Sequence, residues 1–212
     1  MSRNQVIAVV ILAGTVAAAL GAVLDLPQKI EVLYRRIRPK SDIVQFQSLD
    51  QQALLRFGAS FSYPQGWDRL NAPENSDGAT FVDPDDKNVR ITGYGSFSPS
   101  VLGDGSLAFA IEWERQAILA LRDGKIAEEA ESGTYVKNAK GERWDIDGWR
   151  AIYYYIDEEG RRMAALEKLA VADGREVVLV MRAPAKVFPR YKSAFLQLSA
   201  DLHLTPPQDY LK

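Results

Sequence analysis

Residues that could carry out catalysis or bind a metal are few in this sequence. It contains no cysteine and a single histidine, His203. Disulfides, thiolate zinc sites, iron–sulfur clusters and cysteine nucleophiles are therefore excluded. His203 lies between two leucines where a predicted helix ends, which favours capping or packing, and no nucleophile-elbow motif gives it a serine partner. We therefore expect a protein that is not an enzyme and that binds no cofactor.

Acidic residues cluster in two places. The first, residues 83–88 (DPDDKN), has the composition of a calcium loop, but Pro84 and Lys87 interrupt the ligand spacing and no distal glutamate completes the set. These residues are turn formers, so they predict a solvated hairpin turn instead. The second, residues 128–131 (EEAE), predicts the solvent-facing side of a strand. Neither cluster predicts a metal site.

Tyrosines and tryptophans form the densest group of residues suited to recognition. They are Trp113, Trp144, Trp149, Tyr153, Tyr154 and Tyr155. On a strand, Tyr153 and Tyr155 share a face with Trp149. Tyr154 points to the opposite face. Most of the group is expected in a core beneath helices. A member that faces outward is a candidate interface anchor, because these side chains dominate binding hot spots, and Tyr154 is our candidate on this strand.

A glycine- and serine-rich segment, residues 92–106 (TGYGSFSPSVLGDGS), contains Tyr94. The segment lacks the lysine and the serine or threonine that end a phosphate-binding loop. We therefore predict a flexible loop that contacts a partner, with Tyr94 as its candidate binding residue.

Composition places the chain among ordinary globular proteins. Of its 212 residues, 47% are hydrophobic and 25% are charged, and the formal net charge is -2. Such a chain is long enough for one domain with a core of its own, without disulfides or metals. Because the net charge is small and negative, we expect no nucleic-acid partner.

The N-terminus carries an uncharged apolar segment, residues 6–24 (VIAVVILAGTVAAALGAVL). A helix of this length spans roughly 28 Å, about the thickness of the hydrocarbon core of a bilayer. We favour a membrane anchor that contacts lipid through residues 6–24 over a cleaved signal peptide with Arg3 as its basic region. A soluble core helix is disfavoured, because the segment has no polar face.

A basic segment follows the apolar one. Residues 26–38 (LPQKIEVLYRRIR) can form a helix, either as a stalk on the domain or membrane or as a docking helix for another subunit. Arg35, Arg36 and Arg38 are candidate partner-binding residues, facing acidic protein groups or anionic lipid. Their charge favours a cytoplasmic location for this flank, whereas the basic N-terminus favours export of the domain. The charge rule therefore leaves the topology open.

The remainder of the chain predicts short strands and two helices. Segments bounded by turn residues predict strands over residues 61–63, 67–70, 79–82, 89–94, 126–136, 149–157, 162–171 and 176–183. Apolar residues at helical spacing predict helices over residues 107–121 and 186–202. Turn residues at 158–160 and 173–174 predict tight hairpins, so neighbouring strands run antiparallel. The order of elements predicts an α+β fold in which helices cover an antiparallel sheet.

Two segments carry a family pattern. The first is residues 61–67 (FSYPQGW) with residues 79–84 (ATFVDP), and the second is residues 177–184 (VVLVMRAP) followed by Tyr191 and Phe195. Over residues 57–202 the chain resembles the PsbP-like family, whose fold is shared by bacterial DcrB-type proteins and eukaryotic Mog proteins. The resemblance implies an α/β/α sandwich with a central antiparallel sheet, located outside the cytosol in bacteria. Members mostly act as accessory or assembly factors without shared catalytic residues, and this chain lacks the lipobox cysteine of the lipoprotein members.

These observations divide the chain into a transmembrane anchor (residues 1–25), a basic stalk or connector (26–56), a PsbP-like domain (57–204) and a C-terminal tail (205–212). The resemblance and the anchor together favour a non-catalytic accessory or assembly subunit that docks onto an integral membrane protein complex, photosynthetic or respiratory. We expect the chain in the bacterial inner membrane, with its domain in the periplasm.

Two other functions stay open. A carrier or sensor would bind a small apolar ligand in a pocket lined by Trp149, Tyr153 and Tyr155. A hydrolase, the least favoured, would need a pair of carboxyl groups in a cleft.

Overall fold

A computed structural model describes residues 43–70, 77–97, 107–137 and 140–205. Its strands are β1 (Leu49–Leu54), β2 (Ala59–Pro64), β3 (Asp68–Leu70), β4 (Gly78–Val82), β5 (Arg90–Phe97), β6 (Lys125–Glu131), β7 (Thr134–Lys137), β8 (Arg143–Ile156), β9 (Arg162–Ala172), β10 (Arg175–Pro184) and β11 (His203–Leu204). Its helices are α1 (Leu107–Ala120) and α2 (Phe188–Ala200), with a short 3-10 helix at Leu55–Phe57. Both α-helices begin and end within about two residues of their predicted bounds.

The larger sheet is antiparallel, with strand order β3-β4-β5-β10-β9-β8-β6, and β7 pairs with the first part of β8. Tight turns join its central strands because their residues adopt positive φ angles: 53° at Asp173, 71° at Gly174 and 78° at Gly160. These are the hairpins that the sequence predicts. The α+β class with an antiparallel sheet is therefore confirmed.

Helix α2 packs on one face of this sheet. Phe188, Tyr191, Phe195 and Leu198 recur at helical spacing and are buried in one cluster with strand residues such as Leu166. Each fully buried side chain of this size contributes about 1.5–3 kcal/mol relative to an exposed one. Helix α2 is therefore held mainly by its apolar stripe.

Helix α1 packs on the opposite face. Its inward residues, Ala110, Ile111 and Ile118, are buried in one cluster with Trp149, Tyr153 and Tyr155 of β8. Tyr154 belongs to the cluster under α2 instead. The predicted alternation of the three tyrosines is therefore confirmed, and the sheet has a separate apolar core on each face.

A second sheet, with strand order β1-β2-β11, is not among the predicted elements. Strand β1 pairs with β2 along its whole length, from Leu49 opposite Pro64 to Leu54 opposite Ala59. Strand β1 therefore lies before residue 57, the predicted start of the domain, and within the predicted connector. Residues 49–54 (LDQQAL) do not alternate between apolar and polar, so periodicity did not reveal the strand.

Two further predicted elements differ from the structure. The strand predicted over residues 126–136 is divided into β6 and β7. The break lies beside β8, where the N–H of Ser132 donates to the carbonyl of Gly148 at 2.7 Å. His203 lies on β11, with its backbone opposite Ser60, and not at the end of a helix.

Among the residues that the structure describes, no helix is long and apolar enough to cross a membrane. The predicted anchor at residues 6–24 and the basic segment with Arg35, Arg36 and Arg38 lie outside the described residues.

Candidate functional site

Helix α1 presents aromatic side chains to solvent. Trp113 is 68% exposed, and Phe109, about one helical turn earlier, is 50% exposed. With Glu112, Gln116 and Ala117 they line a shallow groove of about 330 Å³. We call these five residues the outer face of α1. Exposed groups of large apolar side chains mark interaction surfaces in soluble domains.

The outer face of α1 exists because the helix is apolar on more than one side. A surface helix ordinarily places charged residues opposite its buried stripe, whereas α1 places Phe109 and Trp113 there. The acidic residue between them is engaged within the helix, since Nε2 of Gln116 donates to Oε1 of Glu112 at 2.7 Å. The groove is therefore mainly apolar, and its polar edge already has hydrogen-bond partners.

The structure separates the predicted binding residues. The loop predicted over residues 92–106 is wrong for residues 92–97, which belong to β5, and residues 98–106 lie outside the described residues. Tyr94 lies on β5 opposite Val178, on the sheet face that α1 covers, and is 37% exposed. Tyr154 lies on the other face, half-buried against the core under α2, so it offers little surface to a partner. Trp113 is the exposed member of the predicted aromatic group.

The three aromatic residues predicted to line a ligand pocket have different surroundings. Trp149 and Tyr153 are buried under α1 as part of its core layer. Tyr155, further along β8, borders a cleft at the end of the sheet.

A pair of carboxyl groups lies between α1 and the sheet. Glu167 on β9 is 3% exposed and interacts with Glu114 of α1, and Oε1 of Glu167 has no hydrogen-bond partner among the described residues. The hydroxyl of Tyr153 donates to Oε2 of Glu167 at 3.0 Å. Burial and then the charge of Glu114 raise the pKa of Glu167 to about 8. Burial also raises the pKa of Glu114, so the pair holds a proton at neutral pH.

Paired carboxyl groups that share a proton are found in acid–base enzymes. Here α1 covers Glu167, so a substrate does not reach its carboxyl group in this structure. Burial and then the charges of Glu114 and Glu167 raise the pKa of the nearby Tyr94 hydroxyl. The Glu114–Glu167 pair therefore affects the pKa of neighbouring groups and the stability of the packing between α1 and the sheet.

Residues 83–88 form the hairpin turn that the sequence predicts. Oδ1 of Asp83 accepts the N–H of Asp85 at 2.9 Å, and Oδ1 of Asp86 accepts the N–H of Asn88 at 3.1 Å. Oδ2 of Asp83 accepts the hydroxyl of Tyr191 at 3.1 Å, which joins the turn to α2. In the described part of the chain, no group of three or more potential ligands is arranged to hold a metal.

The acidic residues of β6 are exposed, as predicted, and contact both helices. Oε2 of Glu129 accepts Nε of Arg115 at 2.9 Å, and this hydrogen bond lowers the pKa of Glu129. Glu128 accepts Nζ of Lys192, on α2, at 2.7 Å. Exposed ion pairs contribute about 0–1 kcal/mol each, so these contacts orient the helices more than they stabilise them.

Phe109, Glu114 and Glu167 are not among the predicted site residues, although the sequence contains signals for two of them. Glu114 falls at helical spacing between Ile111 and Ile118, which is a charged residue at a core position. Glu167 interrupts an otherwise apolar strand. Charged residues at buried positions are rare unless they are paired, so such interruptions indicate a polar contact in the core.

No family model matches the chain, and no curated protein sequence matches it. Solved structures are similar to it. The cyanobacterial PsbP protein (CyanoP) from Synechocystis sp. PCC 6803 is 16% identical over 76% of this chain and 95% of its own, with a TM-score of 0.48. A protein of unknown function from Pseudomonas aeruginosa is 14% identical over 74% of this chain and 98% of its own, with a TM-score of 0.48.

LpqN of Mycobacterium tuberculosis, which is involved in cell envelope biogenesis, is 14% identical over 76% of this chain and 87% of its own, with a TM-score of 0.42. These likenesses concern the arrangement of the backbone alone.

Proposed function

We propose that this chain is a non-catalytic accessory or assembly subunit that docks onto an integral membrane protein through the outer face of α1. The observation that carries the proposal is the exposure of Trp113, which is 68% accessible on a helix whose other side is fully packed. Trp113 lies beside the exposed Phe109, and a contiguous exposed apolar patch of this kind marks an interaction surface.

The physical case rests on the type of residue that is exposed. Tryptophan is the residue most enriched among interface hot spots, where its truncation costs about 2 kcal/mol or more. Phe109 lies beside it and widens the apolar area. Docking of an apolar partner surface into this groove would remove both rings from water without leaving a charge unpaired, because Glu112 already has partners within α1.

The expected partner shares the membrane with this chain. In the proposal, residues 6–24 anchor the chain in the bacterial inner membrane and the domain lies on the periplasmic side. A tether of this kind keeps the domain at a high effective concentration near other membrane proteins. A single interface of modest affinity is therefore sufficient to keep the domain bound to its partner. The basic residues Arg35, Arg36 and Arg38 would add contacts near the membrane surface.

The experiment is purification of the full-length chain from its own membranes in a mild detergent. The wild type is expected to retain a stoichiometric integral membrane protein, whereas Trp113→Ser combined with Phe109→Ser is expected to lose it. Leu55→Ser is the matched control, because Leu55 is 83% exposed and lies outside α1. Equal circular dichroism spectra would show that all variants are folded. A wild-type chain that purifies alone would overturn the proposal.

A further inference from the structure

A second surface of the domain has an unusual charge arrangement. A cleft of about 580 Å³ lies at the end of the larger sheet, where α1 ends. Four arginines line it: Arg161 in the turn after β8, and three from other elements, which are Arg90 at the start of β5, Arg122 just after α1 and Arg182 near the end of β10. Its apolar wall is formed by Leu121, Tyr155 and Met163. A cleft of this size suits a small molecule.

Arg90 and Arg182 are direct neighbours of like charge. They are opposite each other in the register of β5 and β10, so their side chains leave the same face of the sheet. Like charges opposite each other in an antiparallel pair are unfavourable. Nε of Arg90 donates to the carbonyl of Lys87 at 2.8 Å, and Nη1 of Arg182 donates to the hydroxyl of Tyr155 at 3.5 Å. Both acceptors are neutral, so the charges are not cancelled.

Three acidic residues also line the cleft, and two of them pair with the fourth lining arginine. Arg161 pairs with Asp157 at 2.7 Å and with Glu159 at 2.8 Å. Glu158, in the same turn, is exposed at the rim. Among the described residues, no ion pair includes Arg90, Arg122 or Arg182. Three of the four lining arginines therefore have no ion-pair partner among the described residues, and the acidic residues of the cleft belong to the one turn at 157–159.

We infer that this cleft binds the phosphate group of a small amphipathic phosphate ester, whose apolar part lies against Tyr155 and Met163. Guanidinium groups match phosphate oxygens in forked, charge-assisted pairs, and a phosphate monoester offers three oxygens to the three arginines where a carboxylate offers two. An anion between Arg90 and Arg182 would also turn their repulsion into attraction. The acidic turn that also lines the cleft would repel a long polyanion, so a single head group fits the site better than a nucleic acid.

The inference is independent of the docking function, because it concerns a different surface. Phosphate monoesters of this chemistry have two sources, a soluble metabolite or the head group of a lipid. Phenyl phosphate represents the soluble class, and phosphatidic acid represents the lipid class. Inorganic phosphate tests how much the apolar wall contributes to binding, since it has the charged group of phenyl phosphate without the ring.

The test is calorimetric titration of the full-length chain in neutral detergent with phenyl phosphate. We expect saturable binding that Arg90→Gln combined with Arg182→Gln weakens about tenfold or more, since hydrogen bonds to charged groups are the strong ones. Arg143→Gln is the control, because Arg143 is exposed and pairs with Asp145 away from the cleft. Inorganic phosphate should bind more weakly than phenyl phosphate.

A stability measurement distinguishes loss of the site from loss of the fold. Without the probe, the double variant should melt at a higher temperature than the wild type, because the like charges are removed. Phenyl phosphate should raise the melting temperature of the wild type and of Arg143→Gln only. Competition by phosphatidic acid in the micelles would assign the site to a lipid head group, and its absence would assign it to a soluble ester. Absence of saturable binding, or equal binding by the double variant, would overturn the inference.

Discussion

The carboxyl group of Glu167 makes the stability of the domain depend on pH. In the folded chain its pKa is raised to about 8, whereas its ordinary value is 4.5. Because the folded value is the higher one, the contribution of the bound proton is fully present below about pH 4.5 and is lost as the pH rises through about 8. The free energy of unfolding is therefore expected to fall across this window.

The magnitude follows from the width of the window. At about 1.4 kcal/mol per pKa unit, the interval from 4.5 to about 8 corresponds to a decrease of about 5 kcal/mol. This is an upper value, because the charge of Glu114 contributes to the raised pKa and a small movement of α1 would admit water to the pair. Even half of it is a large part of the roughly 5–15 kcal/mol that stabilises a typical domain.

Glu167→Gln removes this titration with little change of shape. The amide stays neutral, and its oxygen can still accept the hydroxyl of Tyr153. We expect the free energy of unfolding of the variant to fall less than that of the wild type between about pH 4.5 and about pH 8, because only Glu114 keeps a raised pKa, and to exceed that of the wild type at the upper end. Urea unfolding of the full-length chain in neutral detergent, followed by tryptophan fluorescence at several pH values, measures both quantities.

Glu131→Gln is the matched control, since Glu131 is an exposed glutamate on β6. It should retain the pH dependence of the wild type. The reasoning is refuted if Glu167→Gln shows the same decrease with pH as the wild type, or if the wild type shows no decrease.

Three further changes test the packing and the charges of the domain. Gly93→Ala places a methyl group against the ring of Phe61, so thermal denaturation should show a loss of roughly 1–3 kcal/mol. Phe195→Ala empties part of the core under α2 and should lower the free energy of unfolding by roughly 3–5 kcal/mol. An unchanged melting temperature in either variant would contradict the prediction for that variant. Lys168→Met removes a buried amine whose pKa is lowered from 10.5 to about 8 by burial and then by Arg150. Because the folded value is the lower one, the contribution of this amine is present above about pH 10.5 and is lost as the pH falls through about 8. The stability of the wild type relative to Lys168→Met should therefore rise with pH over that window in urea unfolding, and a constant difference would be inconsistent with this assignment.

Sequence patterns correctly predict the helices and hairpins, because these elements form through interactions between residues close together in the chain. The α2 stripe repeats at helical spacing, and the hairpin at Asp173-Gly174 needs two residues that tolerate positive φ angles, so both are visible in the sequence. Strand β1 forms because β2 offers it a hydrogen-bonding edge, and its own residues carry no strand pattern. Hydrogen bonding to β2 therefore makes β1 a strand, although its own composition does not predict one.

The site residues were harder to predict because they depend on which side of an element faces the sheet. Trp113 and Ile111 lie on the same helix, and packing of the second against the sheet leaves the first in water. Arg90 and Arg182 are far apart in the sequence and meet only through the register of β5 and β10. The sequence predicts Tyr154 as an outward residue, but the second sheet and α2 enlarge the core on its side.

Site-specific photo-crosslinking tests the docking claim most directly. A benzophenone amino acid replaces Trp113 in the full-length chain, and the cells are irradiated before their membranes are isolated. The same replacement at Leu55, which is 83% exposed and lies outside α1, is the control. Docking through the outer face of α1 predicts one defined crosslink to an integral membrane protein from position 113 and none from position 55. No crosslink from position 113, or the same products from both positions, would contradict the account.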